Sequence, residues 1–272
     1  MRIFDVDIKT VFSPARLTLY LHEEAYLKEP AARDMILVIP GGAYAGIAPL
    51  EGEPVCTEFF ARGFNTALLK YSVKPSEFPE ALTQLAMSVA HLRDNALEYN
   101  INPQRIFING FSAGGHLAAS LGTLWHHAFL KEAAGLENER FMPNGMILSY
   151  PVITSGEYAH RDSINNLLGK NSDDEKLLEL VSLEKQVSEK TVPTFIWTTA
   201  TDNAVPAENT LMFIWQLQKY GILYESLIFP QGKHGLAIGT KETFPLSFYG
   251  WEDYKPEIKV WVDRAIDFLT KI

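Results

Sequence analysis

The segment from Arg105 to Ser120 constrains the fold most tightly, because it predicts a strand, a sharp turn and a helix in succession. A short apolar run ends at Asn109, the pentapeptide Gly110-Phe-Ser-Ala-Gly114 follows, and small and apolar residues then recur at helical spacing. The glycines on either side of Ser112 remove side chains that would clash in such a turn. This is the pattern of a nucleophile elbow, which holds a serine hydroxyl at the apex between strand and helix. The sequence therefore predicts that Ser112 is a nucleophile.

The composition suits one globular domain. Of the 272 residues, 47% are hydrophobic and 21% are charged, so the chain can bury a substantial core. We expect a single domain over residues 1–272. The N-terminus lacks the pattern of a secretion signal, and no apolar run reaches the ~18 residues of a membrane span. The expected location is the cytoplasm, with no membrane partner.

The charge balance and the single cysteine exclude several kinds of site. A net charge of −9 without a cluster of Lys and Arg argues against nucleic acid as a partner, because binding phosphates requires such clusters. One cysteine, Cys56, cannot form an internal disulfide or supply a Cys-based zinc site. We expect Cys56 to be a small core residue on a helix, and we expect neither a metal nor a cofactor.

The hydrophobic pattern predicts an α/β protein. Alternating residues at 3–9 and 16–21, separated by Ser13-Pro14, predict a leading antiparallel hairpin. Later strands are apolar on both faces, which is typical of a mostly parallel central sheet with helices on both faces. These strands are predicted at about 35–40, 65–71, 105–109, 145–150, 194–199 and 223–229, with a turn at 100–103 and helices at 54–62, from 79, from 112, at 206–220 and at 257–269. In such a sheet, functional residues lie beyond the carboxyl ends of the strands.

The connection between the strands at 145–150 and 194–199 is too long for a simple loop. We therefore predict that residues 151–190 form a short lid or cap insertion that contributes to a binding pocket. A capping box, Ser172-Asp-Asp-Glu175, predicts a short helix near 173–180 within this insertion.

Three reactive residues follow three different predicted strands. Ser112 follows the strand at 105–109, Asp202 comes three residues after Thr199, and His234 comes five residues after Phe229. The order Ser, Asp, His fits three side chains that meet at one edge of this sheet. In that arrangement His234 would take the proton of Ser112, and Asp202 would hold the imidazole in the correct tautomer.

Backbone amides for a developing oxyanion are also available in the sequence. The segment Gly41-Gly42-Ala43 allows the main chain to approach closely, and the amide of Ala113 comes directly after the candidate nucleophile. Such donors typically contribute on the order of 3 kcal/mol each to lowering the barrier. The spacing alone leaves open which of the amides at 41–43 point inward.

Other acids and histidines compete with these assignments. Three aspartates lie in the insertion and are expected to solvate it or to favour a helix N-terminus, namely Asp162, Asp173 and Asp174. Of the seven histidines, only His234 follows a strand in a glycine-rich loop near the C-terminal end. His116, one helical turn beyond Ser112, is expected to pack or to form hydrogen bonds beneath the elbow.

Aromatic residues near the predicted site have two interpretations. Tyr44 directly follows the glycine pair and is a candidate for binding substrate in the pocket, with ordinary packing as the alternative. Trp197 and Trp215 are expected in the core rather than as a platform for substrate.

In combination, these motifs resemble the α/β-hydrolase superfamily, specifically its small carboxylesterases and acetyl (xylan) esterases, which are related to the hormone-sensitive-lipase-like branch. The resemblance runs from about residue 16 to the C-terminus and is carried by Gly110-Phe-Ser-Ala-Gly-Gly-His116, Pro40-Gly-Gly-Ala-Tyr44, Thr201-Asp-Asn-Ala-Val-Pro206 and Gly232-Lys-His-Gly235. It implies an α/β-hydrolase fold and a catalytic triad of the Ser, Asp and His named above. It also implies an oxyanion hole formed by the amides of Gly42, Ala43 and Ala113.

The sequence departs from the family pattern in two ways. The usual His-Gly-Gly-Gly is replaced by Pro40-Gly-Gly-Ala43, and the long N-terminal cap segment of many hormone-sensitive-lipase-like members is not found. The second departure favours an open, small pocket and a short acyl group.

The resemblance implies a serine hydrolase that cleaves short-chain carboxylic esters through an acyl-enzyme intermediate and without a cofactor. Its partner would be a small-molecule ester, which includes O-acetyl groups on sugars or xylo-oligosaccharides. The oligomeric state stays open, and a homodimer is compatible with the sequence.

Two alternative functions share this fold. A serine peptidase of the prolyl-oligopeptidase type has the same triad, but such peptidases usually carry a separate propeller for which this chain has no room. A non-catalytic binding module tends to lose a triad residue, whereas all three are present here.

Overall fold

The computed structural model describes residues 1–10, 13–23 and 32–272. Within these ranges, eight strands form one sheet in the order β1-β2-β4-β3-β5-β6-β7-β8. The strands are β1 Arg2–Lys9, β2 Pro14–Leu21, β3 Arg33–Ile39, β4 Asn65–Lys70, β5 Ile101–Phe111, β6 Gly145–Ser149, β7 Thr194–Thr199 and β8 Tyr224–Phe229. The helices are α1 Glu53–Ala61, α2 Glu80–Asp94, α3 Ala96–Tyr99, α4 Ser112–Leu124, α5 Ala128–Ala134, α6 Asn138–Phe141, α7 Arg161–Leu168, α8 Glu175–Leu180, α9 Glu208–Lys219 and α10 Val260–Leu269.

The sheet combines a leading antiparallel hairpin with a parallel body, as predicted. Strand β1 pairs antiparallel with β2, and β2 pairs antiparallel with β4. Every other pair of neighbouring strands in the described sheet is parallel. The carboxyl ends of β3 to β8 therefore lie along one edge of the sheet, where the loops that follow them meet.

Helices bury both faces of the sheet. On one face α2 and α4 contribute residues such as Leu85 and Leu117 to a core that also contains Ile108 of β5. On the other face α1 and α10 pack against Phe107, which directly precedes Ile108 in β5. Successive residues of a strand point to opposite faces, so two covered faces require strands that are apolar at every position. Cys56 is fully buried on α1 in the second core, as predicted.

Strand β5 begins earlier than the sequence predicts. Asn100 has the positive φ of a turn, at 51°, but Ile101 already pairs with Arg33 of β3. The pairing register then shifts, so that Met35 pairs with Ile106. The extra residues around the predicted turn at 100–103 form an irregularity within the strand. This pairing depends on the neighbouring strand β3, so the sequence around residues 100–103 does not indicate it.

Two local predictions about helices are wrong. The N-cap of α8 is Asp174, whose carboxylate accepts hydrogen bonds from the amides of Lys176 and Leu177, rather than Ser172. Trp215 on α9 is 69% exposed, whereas Trp197 on β7 is fully buried as expected. Trp197 lies on a central strand covered on both faces, but Trp215 lies on the outer side of a helix.

The connection between β6 and β7 contains α7, α8 and two short 3-10 turns, Gly169–Asn171 and Leu183–Lys185. It corresponds to the segment predicted as a lid or cap. Within residues 1–10, 13–23 and 32–272, no helix combines the length and the apolar character needed to cross a membrane.

Close packing of α4 against the strand ends depends on glycines. A Cβ atom built at Gly114 would overlap the carbonyl oxygens of Ile39 and Pro40, and one at Gly110 would overlap the carbonyl oxygen of Gly114. Backbone atoms cannot move aside as a flexible side chain can. The first turn of α4 therefore lies directly against the end of β3.

We predict that Gly114→Ala lowers the free energy of unfolding by about 3 kcal/mol, because the added methyl group overlaps buried backbone. Gly46→Ala is the matched control, since a Cβ atom there meets nothing within 4 Å. Urea unfolding of both variants provides the measurement. Equal stability of the two variants would show that the helix can shift without cost.

Candidate active site

Ser112 lies at the apex of a strained turn. It is the first residue of α4, directly after the last residue of β5, and its φ is 52°. A non-glycine residue in this left-handed region costs on the order of 1–3 kcal/mol, so the surrounding structure must hold it there. The side chain remains accessible, since Ser112 retains 9% exposure. The elbow thus presents the hydroxyl at the edge of the sheet.

The structure brings Ser112, His234 and Asp202 together in one hydrogen-bonded row. Nε2 of His234 lies 2.8 Å from Oγ of Ser112, and Nδ1 lies 2.7 Å from Oδ2 of Asp202. The carboxylate can only accept, so Nδ1 carries the proton and Nε2 accepts from the hydroxyl. This arrangement allows the imidazole to take the serine proton while the carboxylate stabilises the resulting charge.

Asp202 is fixed by the backbone around it. The amides of Ala204 and Val205 each donate to its Oδ1 at 2.9 Å, and its side chain is 1% exposed. The competing aspartates lie elsewhere, because Asp174 caps α8 and Asp162 lies in the first turn of α7. Only Asp202 of these candidates contacts His234.

The loop that carries His234 is tied to the loop that carries Asp202. The amide of His234 donates to Oδ1 of Asn203 at 3.1 Å. Thr201 accepts from the amide of Gly232 and donates to its carbonyl oxygen. These contacts connect the loops after β7 and β8, so the distance between the carboxylate and the imidazole is held by the chain itself.

The turn at 41–44 lies beside Ser112. A Cβ atom at Gly41 would come within 2.8 Å of the Cβ atom of Ser112, so only glycine allows this approach. The amide of Gly41 donates to Oε2 of Glu51 at 2.8 Å and is therefore engaged. Among the described residues, no hydrogen bond occupies the amides of Gly42 and Ala43, and both residues line the cavity above Ser112. Together with the amide of Ala113, they are candidate donors to an oxyanion.

Glu51 is a buried carboxylate that sequence reasoning missed. It is 4% exposed, and its Oε1 accepts a hydrogen bond from the Tyr150 hydroxyl at 2.7 Å. That hydroxyl in turn accepts from the amide of Ala237 at 2.9 Å, and the Tyr150 ring packs edge-on against His234 with centroids 4.9 Å apart. Burial raises the pKa of Glu51, although the hydrogen bonds from Tyr150 and Gly41 oppose this rise. Glu51 and Tyr150 therefore connect the glycine turn to the loop of His234.

Tyr44 does not lie where its position in the sequence suggested. It is 2% exposed, its hydroxyl lies 2.9 Å from Nδ1 of His116, and it is not a cavity-lining residue. The positive φ of Tyr44, 55°, belongs to a turn that directs this side chain into the core. His116 is fully buried, with Nε2 2.9 Å from the carbonyl oxygen of Val181, and burial lowers its pKa to about 4. His116 thus has the structural role predicted for it.

A cavity of about 670 Å³ opens above Ser112 and His234. Its walls come from the turn after β3, the loop at 245–249 and one residue of the β6–β7 connection, His160. Phe248 on the rim is 80% exposed. In the described part of the chain, no three His, Cys, Asp or Glu side chains are grouped so that they could hold a metal ion.

We predict that Glu51→Ala lowers the free energy of unfolding by about 3 kcal/mol, because the Gly41 amide and the Tyr150 hydroxyl lose their buried acceptor. Glu53→Ala, two residues later at an exposed position, is the control and should change stability by about 0.5 kcal/mol or less. Chemical denaturation compares the two. A Glu51→Ala variant as stable as Glu53→Ala would contradict the bridging role.

Among the curated proteins that are similar in sequence, two align over most of this chain. The chain is 40% identical over 243 residues to endo-1,4-beta-xylanase B of Butyrivibrio fibrisolvens, an alignment that covers 86% of this chain and 36% of that protein. It is 29% identical over 220 residues to an acetylxylan esterase of Xylanibacter ruminicola, covering 79% of this chain and 43% of that protein. The chain therefore spans less than half the length of both relatives.

Solved structures match over nearly the whole chain. An acetyl ester-xyloside bifunctional hydrolase from Caldicellulosiruptor lactoaceticus is 33% identical, with a TM-score of 0.76, covering 94% of this chain and 90% of that one. MGS-M1, an alpha/beta hydrolase enzyme from a deep-sea metagenome library of the Medee basin, is 28% identical, with a TM-score of 0.79, covering 100% and 97%.

The sequence profile of the BD-FAE family matches residues 18–217, which include the glycine turn, the elbow and Asp202. His234 lies beyond the matched range, but the structure places it in hydrogen-bond contact with both Ser112 and Asp202. The chain belongs to the BD-FAE family and has the α/β-hydrolase fold.

Proposed function

We propose that this protein hydrolyses short-chain carboxylic esters with Ser112 as the nucleophile, and that its substrates include acetyl groups on sugars or xylo-oligosaccharides. The observation that carries the proposal is the hydrogen-bonded row from Ser112 through His234 to Asp202. The Ser112 end of this row lies in a cavity, beside backbone amides that have no other hydrogen-bond partner among the described residues. A nucleophile, a base and oxyanion donors at one point are what acyl transfer requires.

In the first step, Oγ of Ser112 attacks the ester carbonyl carbon while Nε2 of His234 takes the hydroxyl proton. The carbonyl oxygen gains a negative charge and accepts hydrogen bonds from the amide of Ala113 and from an amide of the glycine turn. The intermediate then expels the alcohol, to which His234 returns the proton, and an acyl-enzyme forms. Asp202 stabilises the charged imidazole throughout this step.

In the second step, water takes the place of the alcohol. His234 accepts a proton from this water, whose oxygen attacks the acyl carbon, and the same amides stabilise the second oxyanion. Collapse releases the carboxylic acid and returns the proton to Ser112. Protons and charges balance within the side chains named, so the reaction needs no cofactor.

Two kinds of observation support a short acyl group on a sugar alcohol. The β6–β7 connection contributes a single residue to the cavity, so the insertion does not build a long channel over Ser112. Relatives named for acetylxylan or acetyl ester-xyloside hydrolysis match this chain at 29% and 33% identity. The chain spans less than half the length of its curated relatives, so their names alone do not establish its substrate. Hydrolysis of sugar esters is therefore part of the proposal.

We predict that Ser112→Ala and Asp202→Asn each lower kcat for p-nitrophenyl acetate by about 10⁴-fold or more, since one removes the nucleophile and the other fixes the wrong tautomer. A fluorophosphonate probe should label the wild-type protein at Ser112 and leave Ser112→Ala unlabelled. Wild-type turnover by folded Ser112→Ala would exclude the proposed chemistry. Absence of a Ser112 adduct in the folded wild-type protein would favour a binding module instead.

Among p-nitrophenyl esters, we predict the highest kcat/KM for acyl chains of about two to four carbons, because the β6–β7 connection builds no long channel over Ser112 that would enclose a longer chain. The measurement is a series of esters with increasing acyl length, followed by acetylated xylo-oligosaccharides. A maximum at about eight carbons or more would contradict the preference for a short acyl group. Cleavage of peptides at rates above those of esters would favour the peptidase alternative.

A further inference from the structure

His160 is the point at which the β6–β7 connection reaches the cavity. Among the described residues of that connection, it alone lines the space above Ser112 and His234. It is also the N-cap of α7, and its Nδ1 accepts a hydrogen bond from the amide of Ser163 at 3.3 Å, with the Ser163 hydroxyl 2.9 Å away. The backbone therefore fixes one nitrogen of the ring.

This cap determines which nitrogen of His160 carries a proton. A nitrogen that accepts from a backbone amide is unprotonated, so the neutral ring must carry its hydrogen on Nε2. Burial lowers the pKa of His160 and the charge of His234 lowers it further, while Asp162 and Asp202 oppose this change. Among the described residues, no group accepts a hydrogen bond from Nε2. The neutral imidazole thus has an unused donor in a residue that lines the cavity.

The position of His160 relates this donor to the leaving alcohol. His234 must return its proton to the leaving oxygen, so the alcohol portion of the ester lies next to His234. His160 and His234 line the same cavity, and the charge of His234 lowers the pKa of His160. The acyl carbon, by contrast, is attached to Ser112.

We propose that the Nε2 hydrogen of His160 donates a hydrogen bond to a hydroxyl or ring oxygen of the alcohol portion, which makes His160 a residue that selects polyhydroxylated alcohols over apolar ones. This inference rests on the proposed esterase function. An alcohol with an oxygen atom in reach gives this donor a hydrogen-bond acceptor. An apolar alcohol in the same space displaces the water that the donor would bind and leaves the donor without an acceptor, which weakens binding.

The variant His160→Asn separates the two roles of this residue. Asparagine is a favoured N-cap and retains an oxygen for the Ser163 amide. Its amide nitrogen is bonded directly to Cγ, so it does not extend as far from the backbone as Nε2 of histidine. The test uses an acetylated methyl xyloside and cyclohexyl acetate, which share the acyl group and the size of the alcohol but differ in its oxygen atoms. We expect His160→Asn to lower kcat/KM for the xyloside acetate by about tenfold and to change that for cyclohexyl acetate by about twofold or less. Its thermal midpoint should match that of the wild type, whereas His160→Ala loses the cap and should unfold at a lower temperature.

Equal changes for both esters, or no change for either, would overturn the inference. If His160→Asn does not fold, the wild-type protein decides, because a kcat/KM for cyclohexyl acetate as high as that for the xyloside acetate excludes selection by this donor. Failure of the wild-type protein to hydrolyse p-nitrophenyl acetate or either alcohol ester would instead refute the proposed function, so the two failures are distinguishable.

Discussion

The site depends on how closely the start of α4 approaches the strand ends. Ser112 holds a left-handed φ at the start of this helix, and Gly114 allows the helix backbone to lie against the carbonyl groups of Ile39 and Pro40. Gly41, in the turn that follows β3, also comes close to the Cβ atom of Ser112. The main chain at 39–41 thus meets the main chain at 110–114 without intervening side chains, and this backbone geometry holds Ser112 in place.

Around this point, the polar groups are held by bonds to the backbone. Asp202 is held by the amides of Ala204 and Val205, and Glu51 holds the amide of Gly41. Each carboxylate accepts a hydrogen bond from a backbone amide that would otherwise lack a partner. The same hydrogen bonds fix the orientation of the carboxylate. Because the Gly41 amide is engaged by Glu51, the amides of Gly42 and Ala43 are the candidate donors of that turn. The sequence alone did not separate Gly41 from these two residues.

Much of the fold was predictable because its signals are local. Strands apolar on both faces indicate a covered parallel sheet, and residues that follow such strands meet at one edge, which brought Ser112, Asp202 and His234 into one hypothesis. What could not be predicted depends on distant neighbours. Glu51 and Glu53 are two residues apart in the same turn region, yet only Glu51 is buried, because Tyr150, the residue directly after β6, supplies its partner. Tyr44 turned inward to His116 for the same reason, since its partner lies on another element.

The cavity walls and the reactive groups belong to different parts of the chain. The reactive groups follow the ends of three strands of the sheet, β5, β7 and β8, whereas the walls consist of a turn, the loop at 245–249 and one helix cap. Changes in that loop, for example at the exposed Phe248, alter the shape of the cavity without touching the sheet. The cavity can therefore be reshaped through mutations that cost the protein little stability, and the same loop is where directed evolution of this scaffold should begin.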